Sequence, residues 1–396
     1  MTIEDMEREL LQLRETQNLR SLPALVHEGK FITRFGRCML NLSSNDYLGL
    51  ATDIELRHRF LMTLTPNSFL PGSSSSRLLT GNFAVYDKLE DELAKQYGTE
   101  AALVFNCGFH ANTGILPAVS DAHTLILADK LVHASLIDGI RLCTAKCIRY
   151  RHNDLVQLER LVTTHAADYN QIIIVTESIF SMDGDRTDLP ALVRIKHRYP
   201  HVQLYVDEAH GFGVFGAKGL GVAEEDGVIR DIDYLVGTFG KAGASAGAFV
   251  VCRRVIREYL INRMRPFIFT TALPPVNIAW TLHVVRHLAD EAQAVRRRHV
   301  RQLGATLRQA LIGICGENPS LVQSASQIVP FVIGPSAEAV RIARQLQSCG
   351  FYVLPVRPPT VPEGTARLRF SLTSDLSEEE LEQLIAAIKK ICSENA

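Results

Sequence analysis

Residues 235–251 read LVGTFGKAGASAGAFVV. Two apolar, β-branched runs, Tyr234-Leu235-Val236 and Ala248-Phe249-Val250-Val251, flank a segment of glycine, alanine and serine that carries one lysine, Lys241. Runs of this length and composition predict buried strands, with the lysine on the loop between them. Small neighbours leave room beside that lysine for a flat ring. Partial desolvation would also lower its pKa towards that of an amine nucleophile. Taken alone, the string equally describes a solvated lysine on a hairpin turn.

A second stretch upstream favours the first reading. Gln203-Leu204-Tyr205-Val206-Asp207-Glu208-Ala209-His210-Gly211 predicts a buried strand ending in an acid, with a histidine three residues on. A pyridoxal phosphate (PLP) site needs a lysine for the aldehyde and a carboxylate to keep the pyridine nitrogen protonated. Lys241 and Asp207, each beyond the end of a predicted strand, can supply both, because ligands of open α/β sheets sit beyond those ends. Asp-Glu-Ala-His also spells a helicase box. Phosphate hydrolysis of that kind requires a Gly-x-x-x-x-Gly-Lys-Ser/Thr loop, and the chain contains none.

The 396 residues suit two domains, or one large domain with an appendage, and 46% hydrophobic residues suffice for a sizeable core. Lys+Arg 42 against Asp+Glu 43 gives a balanced surface that argues against a nucleic-acid track or a membrane surface. No apolar run approaches the roughly 20 residues of a bilayer span. The acidic start, Met1-Thr2-Ile3-Glu4-Asp5, lacks a signal peptide's basic and apolar regions, so a cytoplasmic protein is expected. Eight scattered cysteines without a Cys-x-x-Cys pair predict reduced, mostly buried thiols rather than disulfides or a metal site.

Ile3, Met6, Leu10 and Leu13 stand at helical spacing, and residues 31–42 predict a hairpin. The hydroxyl-rich loop 71–82 contains Arg77 and reads equally well as a linker or as a pocket wall. Apolar runs then recur at 101–105, 124–128, 146–150, 171–176, 203–207, 234–238 and 247–251, separated by helix-length stretches. That alternation predicts a largely parallel sheet with helices on both faces. Asn106-Cys107-Gly108-Phe109-His110 follows the first run and opens a helix, a natural phosphate seat. Arginine-rich helices are expected over 276–314. A break near Pro330 then precedes a strand, a helix at 336–348, and strands at 351–356 and 366–372. Ser377 and Glu380 form a capping box for a last helix buried through Leu381, Leu384, Ile385 and Ile388.

With these pieces placed, the chain resembles the α-oxoamine synthases, a branch of the fold-type I PLP enzymes. The resemblance rests on LNLSSNDYLGL, GSSSSRLLTGN, FNCGFHANTG, HASLIDG, TESIFSMDGD, VDEAHGFGVFG, GTFGKAGASAGAF and RPPTVPEGTARLRFSL, eight strings in family order between about residues 41 and 372. It implies an α/β fold with a large, mainly parallel sheet domain and a smaller C-terminal α/β domain. The expected divisions are an N-terminal helix and hairpin segment (1–45), a PLP-binding domain (46–280) and a small domain (281–396). The implied reaction is a PLP-dependent decarboxylative condensation of L-alanine with a pimeloyl thioester, carried by CoA or a carrier protein, in biotin synthesis. Siblings using glycine or serine with another acyl-CoA, and a catalytically silent dimeric subunit, are the alternatives.

Carried over by motif, Lys241 would bind the PLP aldehyde, Asp207 the ring nitrogen, and His210 the phenolic oxygen, with His133 stacked on the ring. Thr238, Gly108 and Phe109 would hold the phosphate and Ser181 would lie near the cofactor. Thr270 and Thr271 would reach the phosphate of a second subunit, which implies a homodimer with shared sites. Arg369 would clamp the amino-acid carboxylate through its guanidinium fork. Strand alternation does not separate it from Arg367, which is read as a surface residue. Asn45 would approach substrate from the other subunit, Ser76 would admit alanine's methyl, and Thr360 would contact the acyl portion, with Arg20 the candidate N-terminal arginine. Relatives carry glycines where this chain has Ser74 and Ser75, and serines there restrict the backbone and add hydroxyls near the substrate.

Overall fold

The computed structural model describes residues 1–394. Contacts divide the chain into two units. The larger comprises residues 53–180 and 186–297, and the smaller comprises 1–52, 181–185 and 298–396. The division expected at 45/46 and 280/281 thus falls at 52/53 and 297/298, the second inside the helix Glu291–Cys315.

The larger unit is built on seven strands: β1 (Ala101–Phe105), β2 (Thr124–Asp129), β3 (Lys146–Tyr150), β4 (Gln171–Glu177), β5 (Val202–Asp207), β6 (Tyr234–Thr238) and β7 (Ala248–Cys252). Their order is β1-β7-β6-β5-β4-β2-β3. Neighbours from β6 to β3 pair in parallel, and β7 runs antiparallel between β1 and β6. β1, β2 and β7 are buried along their whole length, which is why they appear in the sequence as unbroken apolar runs. One consequence is that Glu177, Asp207 and Thr238 all end strands on the same, carboxyl-terminal edge of the sheet.

The hydroxyl-rich loop is fixed rather than free. Ser73 Oγ donates to the Ala272 carbonyl at 2.6 Å, and Ala272 N–H donates to the Ser75 carbonyl at 2.9 Å. Arg77 ion-pairs with buried Glu90 at 2.5 Å and lies 4.2 Å over the Tyr86 ring, so it anchors the loop. Ser74 is exposed and has φ +57°, a left-handed conformation that costs an L-residue about 1–2 kcal/mol. Glycine removes that cost and loses about 0.5–1 kcal/mol through its looser unfolded chain. Ser74→Gly is therefore expected to raise the thermal midpoint by about 1–3 °C, as a scanning-calorimetry comparison will show. An unchanged or lower midpoint would refute the strain.

In the smaller unit, Phe31–Arg34 and Arg37–Asn41 form the expected hairpin, closed by Phe35 and Gly36 at φ 50° and 72°; Val26–Glu28 and Phe351–Tyr352 extend it to four strands. Ile328–Gly334, Ala366–Ser371 and Pro355–Val356 form a second, three-stranded sheet. Two sequence expectations change here. Pro330 lies inside a strand rather than at a break; that strand is at the sheet edge, where a missing N–H is tolerated. The run 351–356 is two short strands in different sheets, because Leu354 N–H turns to Ser43 Oγ (3.0 Å) and Pro355 has no N–H to continue the ladder. The capping box forms: Ser377 N–H donates to Glu380 at 2.8 Å and Glu380 N–H to Ser377 Oγ at 3.2 Å.

All eight cysteines are unbridged, but Cys252 alone is buried. Cys38 sits on the outer face of the hairpin, and Cys315 and Cys349 lie at helix C-termini, so their apolar sequence neighbours do not bury them. Among the described residues no helix is long and apolar enough to cross a membrane.

Candidate active site

A cavity of about 200 Å³ opens at the carboxyl-terminal edge of the large sheet, and Gly108, Phe109, His133, Asp207, His210, Thr238 and Lys241 all line it. Seven of the residues singled out from sequence thus converge there. Lys241 is held by a loop that folds back on itself. Ala244 N–H donates to the Lys241 carbonyl at 2.9 Å, and Phe239 N–H to the Gly247 carbonyl at 2.9 Å. Ala244 takes φ +46° to close this turn. The helix Pro275–His287 buttresses the loop from behind: Trp280 Nε1 donates to the Ala244 carbonyl at 2.8 Å, and Ser245 and Thr281 hydroxyls bond at 2.7 Å.

Two of the glycines near Lys241 are also required by packing. A Cβ on Gly237 would lie 2.4 Å from the Phe249 ring, and one on Gly243 would lie 2.9 Å from the Phe239 carbonyl.

Lys241 Nζ lies 2.8 Å from His210 Nε2, a histidine that is 4% exposed. Asp207, 6% exposed, accepts two hydrogen bonds of 2.8 Å, from Ala209 N–H at Oδ1 and from Asn112 Nδ2 at Oδ2. Its neighbour Glu208 faces away from the cavity, accepting from Ser178 Oγ and from Ala223 N–H at 2.7 Å; burial pushes its carboxyl up to about 7. Glu177 ends the strand beside Asp207 and accepts the His133 N–H at 2.5 Å. Burial, then the Asp207 charge, push the Glu177 carboxyl well above the usual carboxyl range. His133 caps the helix Ala134–Arg141, and burial lowers its pKa. Ser135 N–H donates to His133 Nδ1 at 3.2 Å, so that nitrogen carries the lone pair and the proton sits on Nε2.

At the other end the helix Gly108–Val119 presents its N-terminus, with Thr238 beside it: a Cβ on Gly108 would be 3.8 Å from the Thr238 Cβ. Free N–H groups and the helix dipole there suit a phosphate. An amine for an aldehyde, a doubly hydrogen-bonded carboxylate for a ring nitrogen and an anion seat at the far end together fit PLP.

Thr270, Thr271, Ser76 and Ser181 are not among the residues lining this cavity. Thr271 pairs with Ser76 as an isolated bridge and accepts Asn106 Nδ2 at 2.7 Å through its carbonyl.

In the smaller unit Arg369 donates to the Ser181 carbonyl, to Asn45 Oδ1 at 3.2 Å and to Tyr47 OH at 3.2 Å. Asn45, expected to act from another subunit, is thus bonded to an arginine of its own chain. Arg367 is not a surface residue: it is buried and ion-paired with Asp183. The two arginines share a strand, and their partners separate them. Arg20 donates to Thr360 Oγ1 at 3.0 Å, which joins those two predicted residues in one cluster.

Sequence reasoning passed over Asn112 and Glu177, although both lie in quoted motifs. Asn112 stands four residues after Gly108, on the same helix face, and Glu177 ends its strand level with Asp207.

The chain belongs to the aminotransferase class I and II family, whose model matches residues 37–388. It is 53% identical over 385 residues to the 8-amino-7-oxononanoate synthase of Haemophilus ducreyi, an alignment spanning 96% of this chain and 98% of that one. Within the class it is a member of the 8-amino-7-oxononanoate synthase family. Among solved structures it resembles that synthase from Francisella tularensis (TM-score 0.76, 30% identity, 90% of this chain and 98% of that one). It also resembles a serine palmitoyltransferase variant from S. paucimobilis, solved with PLP and myriocin bound (TM-score 0.89, 27% identity, 99% and 97%).

Proposed function

We propose that this protein condenses L-alanine with a pimeloyl thioester, releasing CO2 and the free thiol and yielding 8-amino-7-oxononanoate for biotin synthesis. The observation that carries the reading is the placement of Lys241, Asp207 and His210 in one cavity at the sheet's carboxyl edge. Backbone likeness favours the palmitoyltransferase, with a TM-score of 0.89 against 0.76. A backbone is shared by siblings of different specificity, whereas side chains choose the substrate. The 53% identity to the oxononanoate enzyme of H. ducreyi is therefore the weightier measure.

PLP, when bound, supplies the electron sink for the pair left on the alanine Cα. Lys241 Nζ holds the aldehyde and takes the proton from that Cα, with His210 at 2.8 Å to orient the amine. Asp207 keeps the ring nitrogen protonated, and neutral His133 packs on the ring face. Thr238 with the helix end at Gly108 and Phe109 holds the phosphate. Arg369 binds the alanine carboxylate. Three of its five N–H groups are engaged within its own unit, which leaves one on each terminal nitrogen for a bidentate pair. Arg20 and Thr360 face the acyl substrate, and Ser76 the alanine methyl. Two chains form a homodimer in which Thr270 and Thr271 serve the partner's phosphate. The loops 69–79 and 269–276, joined by hydrogen bonds, expose Phe69, Leu70, Leu79 and Phe269 and supply apolar surface for that contact.

The test is an absorbance titration of the PLP-loaded protein with L-alanine, glycine and L-serine, followed by pimeloyl-CoA and assay of released thiol. Saturation by alanine, with thiol release on adding pimeloyl-CoA, is expected. Saturation by glycine or serine with pimeloyl-CoA inert would assign the protein to a sibling reaction. The arginine assignment has its own check. Losing a charge-assisted pair costs about 1.5–3 kcal/mol, so Arg369→Ala should raise the KM for alanine by about 10- to 100-fold. Arg367→Ala should instead lower the melting temperature and leave that KM near wild type. The reverse pattern in steady-state kinetics would exchange the two roles.

A further inference from the structure

One buried side chain joins the acid under the cavity to the imidazole on its wall. Asn112 is 1% exposed, and every polar atom of its amide is used. Its Nδ2 donates to Asp207 Oδ2 at 2.8 Å and to Ser135 Oγ at 2.9 Å, and its Oδ1 accepts the Tyr205 hydroxyl at 2.6 Å. Tyr205 is fully buried, and burial keeps its phenol protonated and so a donor. That donor fixes which way the amide points, because an amide flipped end for end would turn its oxygen on the Asp207 carboxylate. The chain continues on the other side. Ser135 Oγ lies 2.8 Å from His133 Nδ1, which already accepts the Ser135 N–H, so the Ser135 hydroxyl is the donor there. The hydrogen bonds run with one polarity from Tyr205 through Asn112 and Ser135 to His133, with a branch to Asp207.

We infer that Asn112 is a positioning residue: oriented by Tyr205, it holds the Asp207 carboxylate charged and in one plane, and through Ser135 Oγ it steadies the ring of His133, whose tautomer the Ser135 N–H fixes. The inference rests on the functional reading above, in which these two groups contact the cofactor ring. The Asp207 charge acts on Glu177, His133, Tyr205 and Glu208, and Lys241 and His210 line the same cavity. Among the described residues, only Asn112 and the Ala209 N–H donate a hydrogen bond to its carboxylate.

Three variants test it. Asn112→Leu keeps the branching and the heavy-atom count and removes the donor. Tyr205→Phe removes only the hydroxyl that orients the amide. Ser135→Ala cuts the side-chain link to His133, whose Nδ1 keeps the Ser135 N–H, and leaves Asp207 its donor. Trp280 is the chain's single tryptophan and bonds to the lysine loop, so quenching of its fluorescence reports PLP binding to each apoprotein. The pH dependence of the bound cofactor's absorbance is the second readout. Asn112→Leu should weaken PLP binding by about 10- to 100-fold and move the acid limb of the absorbance profile to higher pH. Tyr205→Phe should move both in the same direction by less, and Ser135→Ala should leave the acid limb in place. Binding within twofold of wild type, with an unmoved profile, in Asn112→Leu would overturn the inference. If that variant does not fold, the same result in Tyr205→Phe overturns it. A wild-type protein that binds no PLP would overturn the functional reading, and this inference with it.

Discussion

Lys241→Ala should lose at least about 10⁴-fold in product formation, because one nitrogen serves two steps. It anchors the aldehyde, and it then removes the proton from the alanine Cα. The expected signature has two parts. Borohydride should fix PLP covalently to the wild type and leave the variant unlabelled. A small amine such as methylamine should return part of the activity, since it can replace the nucleophile but not its tether. The fold should survive: the lysine loop is closed by backbone bonds from Ala244 and Phe239 and buttressed by Trp280 and Thr281, none of which involves the lysine side chain. More than about 1% residual activity without added amine would remove Lys241 from the proton transfer.

Asp207→Asn should lower kcat by about 10²–10³-fold, a loss comparable to deleting one preorganised electrostatic partner of a developing charge. The amide has no charge to keep a proton on a ring nitrogen. It also meets its surroundings badly. Asp207 accepts from both Ala209 N–H and Asn112 Nδ2, so whichever end of the new side chain carries –NH2 faces a donor. Cofactor affinity should fall along with kcat, whereas Glu208→Gln, one residue on and facing Ser178 and Ala223, should leave the cofactor's spectrum unchanged. A kcat within tenfold of wild type in Asp207→Asn would mean that another group governs the ring nitrogen.

Most of the large sheet was readable in the sequence because most of its strands are buried and so appear as apolar runs; the edge strand β3, Lys146–Tyr150, is half-exposed and mixes apolar with basic residues. Asp207 and Lys241 were readable because polar residues just beyond such runs lie on the ligand side of an α/β sheet. Other features were hidden for equally physical reasons. Arg367 and Arg369 share a strand face, and only the positions of Asp183, Asn45 and Tyr47 tell a structural ion pair from a poised guanidinium. Pro330 looked like a breaker because edge position, which excuses a missing N–H, is a property of the sheet and not of the residue. Asn112 looked like any polar residue in a helix, since Tyr205 and Asp207, which give it meaning, lie more than 90 residues away.

The antiparallel strand β7 also bears on the order in which the site comes into being during synthesis. In the finished sheet β7 is, among the described residues, the sole neighbour of β1, the strand that delivers the helix Gly108–Val119 to the phosphate end of the cavity. Until residue 252 has left the ribosome, that strand has no ladder to join. At about 5–20 residues per second, the interval is on the order of ten seconds. Over that interval the nascent chain carries β2 to β6 with no partner for β1, so the phosphate seat is completed only once residue 252 has emerged.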